Sequence, residues 1–412
     1  MLVMGGIIGS GIFMNPAVVA QQVHSRTLIL GAWIAGGLIA LLGAYIWAEL
    51  AARRPDVGGQ YAYLRDAFHP LLGFLYGWVL LLVIQTGGMA AVAITFARYT
   101  NELLQLHAPD WLIATSALAA LTIVNCCGVR SGGRTQSILM LLKIIAIGTL
   151  VVCGFIARKG SAQPAIVHDS LSDFGAALVP VLFAYGGWQT SNFVAAEMRE
   201  PRRNLPRALL LGTAGVVALY LLVNVVCLRV LGADGLARTS TPASNIMGAA
   251  LGSPGGTFIG AAIALSTLGF LAQSILTAPR VYYAMANDGA FFRAVAWVSP
   301  ITQVPVLAIL LQSAWTIVIA CTGSYAQILN YVVAMDFLFF GLTASTLFVF
   351  RRGTARRGGF QTPGHPFTTM VFVLACWLVV ANTIWRYPTH TLIGFAILLA
   401  GVPAFSIWRR TA

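Results

Sequence analysis

The chain has 412 residues, of which 58% are hydrophobic and only 9% charged, and its formal net charge is +13. So much apolar surface exceeds what one soluble core can hide, which excludes a water-soluble globular domain and requires a bilayer. Nucleic-acid binding is excluded as well, because it needs basic residues gathered on one folded face, and here they fall in short gaps between apolar runs.

A spanning helix needs roughly 20 mainly apolar residues to cross about 30 Å of hydrocarbon. Such segments lie at about residues 2–21, 28–52, 71–100, 111–129, 136–157, 174–196, 206–231, 245–286, 304–322, 325–350, 367–386 and 389–408. The pattern predicts an all-α membrane protein of about twelve transmembrane helices, with no polar linker to divide residues 1–412 into separate domains. If the first segment runs from inside to outside, the outward gaps carry only Arg26, Arg158, Lys159, Arg229, Arg238 and Arg386. Arg98 and Lys143 lie within segments, and the other basic residues, such as Arg53, Arg54, Arg202, Arg203 and Arg207, fall on the inward side. Positive charge stays on the cytoplasmic side, so both termini are expected there in a cell inner membrane.

The first segment contains Gly5-Gly6-Ile7-Ile8-Gly9-Ser10-Gly11-Ile12-Phe13, and each glycine weakens a helix by about 1 kcal/mol relative to alanine. Either the glycines serve close helix packing, or the helix unwinds there. Unwound backbone at membrane depth is tolerated only where protein or a water-filled cavity satisfies it, and the half-helix that restarts after such a break presents free N–H groups to an anion. Further along, Glu49 sits at an inward helix end beside Arg53 and Arg54, and Glu197 sits beside Arg199 and Arg202. Both are expected to lock the cytoplasmic gate.

Lys143 lies well inside the fifth segment, too deep to reach the interface. An ionised side chain there costs about 2.5–3.5 kcal/mol, so it should face the bundle interior and have partners. The sixth segment carries Phe183-Ala184-Tyr185-Gly186-Gly187-Trp188-Gln189, a second glycine interruption. Segments one and six correspond if the first ten helices form two inverted five-helix repeats, and paired interruptions of this kind point to a substrate site near the midplane. N–H groups from one break and carbonyls from the other suit a zwitterion whose two charged groups share one carbon, an amino acid. Gln189 and Asn192 follow the break and are expected to reach the pocket, Gln189 to tune substrate choice. Asp336 is an acid inside the tenth segment and is a candidate by that position alone, either in the site or in a bond to a neighbouring helix. Arg351, Arg352, Arg356 and Arg357 form a basic cluster that sets topology or binds anionic lipid.

Three stretches, GGIIGSGIF at 5–13, FAYGGW at 183–188 and NFVAAEMREPRRNLPRAL at 192–209, resemble the L-type amino acid transporters of the amino acid, polyamine and organocation superfamily. The resemblance implies a leucine-transporter-like 5+5 inverted repeat with helices 1 and 6 unwound: a first repeat at 1–157, apparently shortened at its start, a second at 174–350, and two last helices at 367–412. It implies sodium-independent transport of small neutral amino acids by alternating access, often by exchange. Ile8, Gly9, Ser10 and Gly11 would hold the carboxylate. Phe183, Ala184 and Gly186 would lie at the amino group, with Phe183 also closing over the substrate. Lys143 would stand in for a sodium ion by linking carbonyls near Gly5 and Gly6 to the hydroxyls of Ser266 and Thr267. A buried lysine that gives up its proton would also couple transport to protons, so exchange and proton symport both stay open.

Only Met1 to Met4 precede the first break, where the family carries a longer half-helix. The sequence thus predicts either a start internal to the true reading frame or a carrier lacking half its inner gate, with leaky or absent transport in the second case. A carrier of cationic amino acids or polyamines would want an acidic residue beside a break, and in sequence neither break has one. A membrane-embedded enzyme would need a catalytic set at membrane depth, whereas the six histidines lie in loops or at helix ends. The six cysteines show no disulfide or zinc spacing, and no metal or cofactor is expected. Residues 101–110 contain no cysteine to join a heavy-chain glycoprotein, so a monomer without that partner is expected.

Overall fold

A computed structural model of the chain describes residues 2–54, 58–128, 132–157, 169–198, 200–352 and 360–411. Among them every regular element is helical: α1 (Leu2–Ile7), α2 (Gly11–Gln22), α3 (Arg26–Arg53), α4 (Gln60–Ala67), α5 (Pro70–Val79), α6 (Gln85–Leu104), α7 (Asp110–Cys126), α8 (Gly132–Ile156), α9 (Leu171–Tyr185), α10 (Pro201–Val230), α11 (Gly232–Ala237), α12 (Pro242–Leu251), α13 (Ser253–Thr277), α14 (Pro279–Asn287), α15 (Val306–Thr322), α16 (Tyr325–Arg352), α17 (Phe367–Arg386) and α18 (Pro388–Thr411). A π-helical turn, Leu80–Ile84, joins α5 to α6, and a 3-10 helix, Trp188–Glu197, follows α9. Among the described residues seven helices or continuous helix pairs are long and apolar enough to cross a membrane, and three shorter ones are apolar.

The eighth apolar segment does not run unbroken as its composition implies. Gly252 takes φ 72° and Pro254 follows two residues later, so α12 stops and α13 starts afresh, because proline suits the first turn of a helix and glycine the left-handed residue before it. The predicted gap after the second segment holds α4, entered through Gly58 and Gly59 at positive φ.

Long helices α3 and α10 pack together, as do α6 with α13, α2 with α9, and α16 with α17. Between α3, α9 and α10 an aromatic cluster sets the spacing. Trp33 meets Tyr185 edge-on at 5.6 Å, and Tyr185 meets Tyr220 at 5.3 Å. The Tyr220 hydroxyl donates to the Ile7 carbonyl at 3.2 Å, so the cluster also holds the end of α1.

At the arginine-rich end, the fully buried Glu49 carboxylate accepts from Arg53 at 2.8 Å, from Arg351 at 2.6 and 2.9 Å, and from the Thr362 amide at 2.7 Å. A buried charge is tolerable only with such saturation. The expected partner Arg54 instead faces Asp66 at 3.6 Å, and Arg351, brought in from the far end of α16, takes its place. Nearby, Tyr61 donates to Asp288 at 2.7 Å and Arg65 pairs with the same carboxylate. Burial first, and Asp288 second, push the Tyr61 phenol up, so it stays a neutral donor. The expected Glu197–Arg199 pairing and the Arg356 and Arg357 part of the basic cluster lie outside the described residues.

Candidate substrate site

The first break lies between α1 and α2. The Ile8 amide completes the last turn of α1 by donating to Met4 O at 2.8 Å, and the Gly9 amide turns back onto Ile7 O at 2.8 Å. The helix restarts at Gly11, and among the described residues no group accepts from the amides of Ser10, Gly11 or Ile12. A helix start leaves such donors open, and the positive end of the dipole sits there. Among the described residues the Ser10 hydroxyl is buried without a hydrogen-bond partner. The unengaged donors therefore begin at Ser10, two residues after the expected set begins; Ile8 has its amide bonded and its side chain fully buried in the core.

The second break follows Tyr185. Gly186 caps α9 by donating to Phe183 O at 3.1 Å, and Gly187 takes φ 99°. Among the described residues no hydrogen bond bridging this break reaches the carbonyls of Ala184, Tyr185 or Gly186. The Gln189 side-chain oxygen accepts from the Gly187 amide at 2.9 Å and fixes the turn. Trp188 wedges against Trp47 at 4.9 Å and Phe340 at 5.2 Å, which anchors the chain beyond the break.

The glycines bring these two breaks together. A Cβ on Gly187 would stand 2.1 Å from Gly6 O, and one on Gly11 would stand 2.5 Å from Ala184 Cα. Close packing and unwinding, alternatives in the sequence, are both realised here: Gly6 and Gly11 permit the approach, and Gly187 also supplies a conformation that other residues avoid.

Between the breaks lies a cavity of about 80 Å³. Of the expected substrate residues, Gly9, Ser10, Gly11, Phe183, Ala184, Gly186 and Gln189 line it, and Ile8 does not. Asn192 is fully buried and also outside the lining. Phe183 meets the ring of Tyr325 edge-on at 6.5 Å. Tyr325 donates to Asn15 Oδ1 at 2.9 Å, and Asn15 donates to Pro180 O at 2.6 Å, so α2, α9 and α16 are tied beside the cavity.

Lys143 is 3% exposed, and its ammonium donates to the Ile8 carbonyl at 3.1 Å. The link goes to Ile8, not to Gly5 or Gly6, because the break leaves Ile8 O without the Ile12 amide that would complete a helical turn. Among the described residues Ser266 Oγ is buried with no partner, while Thr267 donates to Ile263 O at 3.0 Å and Ala264 O at 2.9 Å within its own helix. The expected bridge from Lys143 to these two hydroxyls is absent among the described hydrogen bonds.

Sequence reasoning named Asp336 on α16 as a candidate but missed the rest of the walls supplied by α6, α13 and α16. Gln85 and Gly88 reach the cavity just after the π-helical turn, a feature common at functional sites. That turn is stabilised by Thr86 donating to Leu81 O at 2.8 Å and Trp315 to Leu82 O at 2.7 Å. Gln273, Ser274 and Thr277 line the cavity from α13, and Val332, Val333, Asp336 and Phe337 from α16. Polar residues one turn apart within an apolar run were the available signal for the α13 set.

An amino acid permease family model matches residues 1–403 of the chain. The chain is 30% identical over 425 residues to large neutral amino acids transporter small subunit 2 of Oryctolagus cuniculus, covering 98% of this chain and 78% of that protein. It is 30% identical over 416 residues to the serine/threonine exchanger SteT of Bacillus subtilis (strain 168), covering 98% and 94%. The cystine/glutamate transporter of Homo sapiens is 29% identical over 424 residues, covering 99% and 84%.

Proposed function

The chain belongs to the amino acid permease family of multi-pass membrane transporters, and we propose that it carries small neutral amino acids by alternating access, without sodium and by exchange. The observation that carries this reading is the pair of opposed backbone ends. The amides of Ser10, Gly11 and Ile12, with the Ser10 hydroxyl, hold the substrate carboxylate; the carbonyls of Ala184, Tyr185 and Gly186 hold its ammonium; Phe183 closes over both. A helix N-terminus is a ready anion site, and the carbonyl end of α9 complements a cation.

The cavity volume of about 80 Å³ supports a small substrate, since a water occupies about 10–15 Å³ on this scale. The Lys143 ammonium on Ile8 O supports sodium independence, as a fixed cation occupies the region that a coupling ion would hold. The relatives named for neutral amino acids and for serine/threonine exchange support the substrate class and the exchange mode. Seven long helices, three shorter apolar ones and two broken ones support twelve spans, arranged as inverted repeats at 1–157 and 174–350 followed by 367–412. Both termini then lie on the cytoplasmic side of the inner membrane, and the protein works as a monomer with no heavy-chain glycoprotein.

Uptake of radiolabelled alanine into proteoliposomes tests the reading. Uptake is expected only when the lumen holds amino acid, with no change when choline replaces sodium or when a protonophore is added. Uptake into empty vesicles driven by a proton gradient would replace exchange with symport, and no uptake of any amino acid would overturn the carrier reading.

A further inference from the structure

Asp336 belongs to neither helix break, yet it lines the same cavity from α16 and is the only ionisable residue among the described residues of the lining. Its carboxylate makes no hydrogen bond and no ion pair among the described residues, unlike Glu49, which is saturated by two arginines and an amide. Asp336 is partly buried and lines the cavity, and a carboxylate at membrane depth without a partner is costly. A bound ligand that donates to it supplies one.

The amino acid's charged ends account for the groups at the two breaks. The rest of the cavity wall surrounds the side chain, and there Asp336 stands among Val332, Val333 and Phe337, with Gln85 on α6. Three apolar side chains and a carboxylate, which when ionised only accepts whereas the amides and hydroxyls of the lining also donate, fit a short side chain that ends in a hydrogen-bond donor. Aliphatic side chains of the same size would leave the acceptor desolvated and unmet, the arrangement that discriminates most strongly between close isosteres.

We propose that Asp336 is a specificity-determining residue that accepts a hydrogen bond from the substrate's side chain, so that the preferred substrates are small neutral amino acids whose side chain carries a hydroxyl donor. The inference rests on the carrier reading above, in which the α-carboxylate and α-ammonium are held by backbone at the two breaks.

The test is competition against serine uptake in proteoliposomes of the full chain, using serine, its methyl isostere 2-aminobutyrate, and 2,3-diaminopropionate. Serine is expected to compete at least tenfold more strongly than 2-aminobutyrate, and in Asp336→Ala that ratio is expected to fall to within threefold. Serine above diaminopropionate supports the proposal; diaminopropionate above serine would overturn it, by making a side-chain ammonium the preferred donor. Equal competition by serine and 2-aminobutyrate in the unmodified protein would overturn it while leaving the carrier reading intact. Equal loss of all three ligands in Asp336→Ala would also overturn it, by moving Asp336 to the α-ammonium. Because Asp336→Ala can fail for lack of folding, Asp336→Asn is measured beside it, with ligand-induced thermal shift in detergent as a second readout. The amide retains an acceptor without the charge, so serine is expected to keep an intermediate preference; a preference equal to that of the unmodified protein would overturn the need for the carboxylate.

Discussion

The two helix breaks share a glycine-rich sequence but expose opposite halves of the peptide group. After Gly9 the chain restarts as an α-helix, leaving the amides of Ser10 to Ile12 unengaged. After Tyr185 a helix ends, leaving the carbonyls of Ala184 to Gly186 open, and the chain resumes as a 3-10 helix anchored by Trp188. Glycine content alone therefore does not specify the chemistry of a break; the direction in which the helix enters or leaves does. The first break is further marked by an attached cation, Lys143 on Ile8 O. The second is held by a side-chain amide, Gln189 on the Gly187 amide.

Four substitutions sharpen this contrast. The largest effect is expected for Gly187→Ala, where the added Cβ meets Gly6 O at 2.1 Å in a backbone at φ 99°. Left-handed strain and overpacking together cost about 2–5 kcal/mol, and uptake should fall more than tenfold with a lower thermal midpoint in detergent. Uptake at the unmodified level would show that the two breaks need not touch.

Next is Lys143→Ala, which removes the cation from the first break alone. A hydrogen bond from a charged group is worth about 1.5–3 kcal/mol, so apparent affinity should weaken roughly tenfold to a hundredfold on at least one face of the membrane. Unchanged affinities on both faces would reduce Lys143 to packing.

Ser10→Ala removes one neutral donor of several and should weaken apparent affinity by about threefold to tenfold, corresponding to about 0.5–1.5 kcal/mol. An unchanged affinity would remove the hydroxyl from the carboxylate site. The smallest effect is expected for Gly88→Ala, a cavity glycine outside both breaks whose added Cβ meets nothing within 4 Å. Its thermal midpoint should move by no more than about 0.5 kcal/mol allows, while competition by bulkier amino acids weakens because the methyl group occupies cavity space. A large loss of stability would show that glycine matters here for reasons unrelated to the breaks.

Much of this arrangement was legible in the sequence. Apolar segment length located most of the long helices, and the two glycine motifs marked the breaks. Lys143 declared itself as a charge too deep for the interface. What stayed hidden depended on pairing across the fold. Nothing near Glu49 in the chain announces Arg351, three hundred residues away on α16. Which amides remain open at the first break depends on where α1 completes its last turn, and that decided for Ser10 to Ile12 over Ile8 and Gly9. Asp336 was visible as an intramembrane acid, but only the packing of α16 beside both breaks brings it into the cavity wall, where sequence distance from either glycine motif had argued against an acidic pocket.

The central claim is that one substrate is held at both ends by backbone, its carboxylate at the first break and its ammonium at the second. Competition against alanine uptake by alanine itself, alanine methyl ester and N-acetylalanine tests it most directly, since each blocked analogue removes one charge and keeps the other. The expected result is that alanine competes and that both analogues lose competition by at least a hundredfold, about 2.7 kcal/mol. Either analogue competing within threefold of alanine would contradict the claim, by showing that one of the two breaks makes no contact with the substrate's charged group.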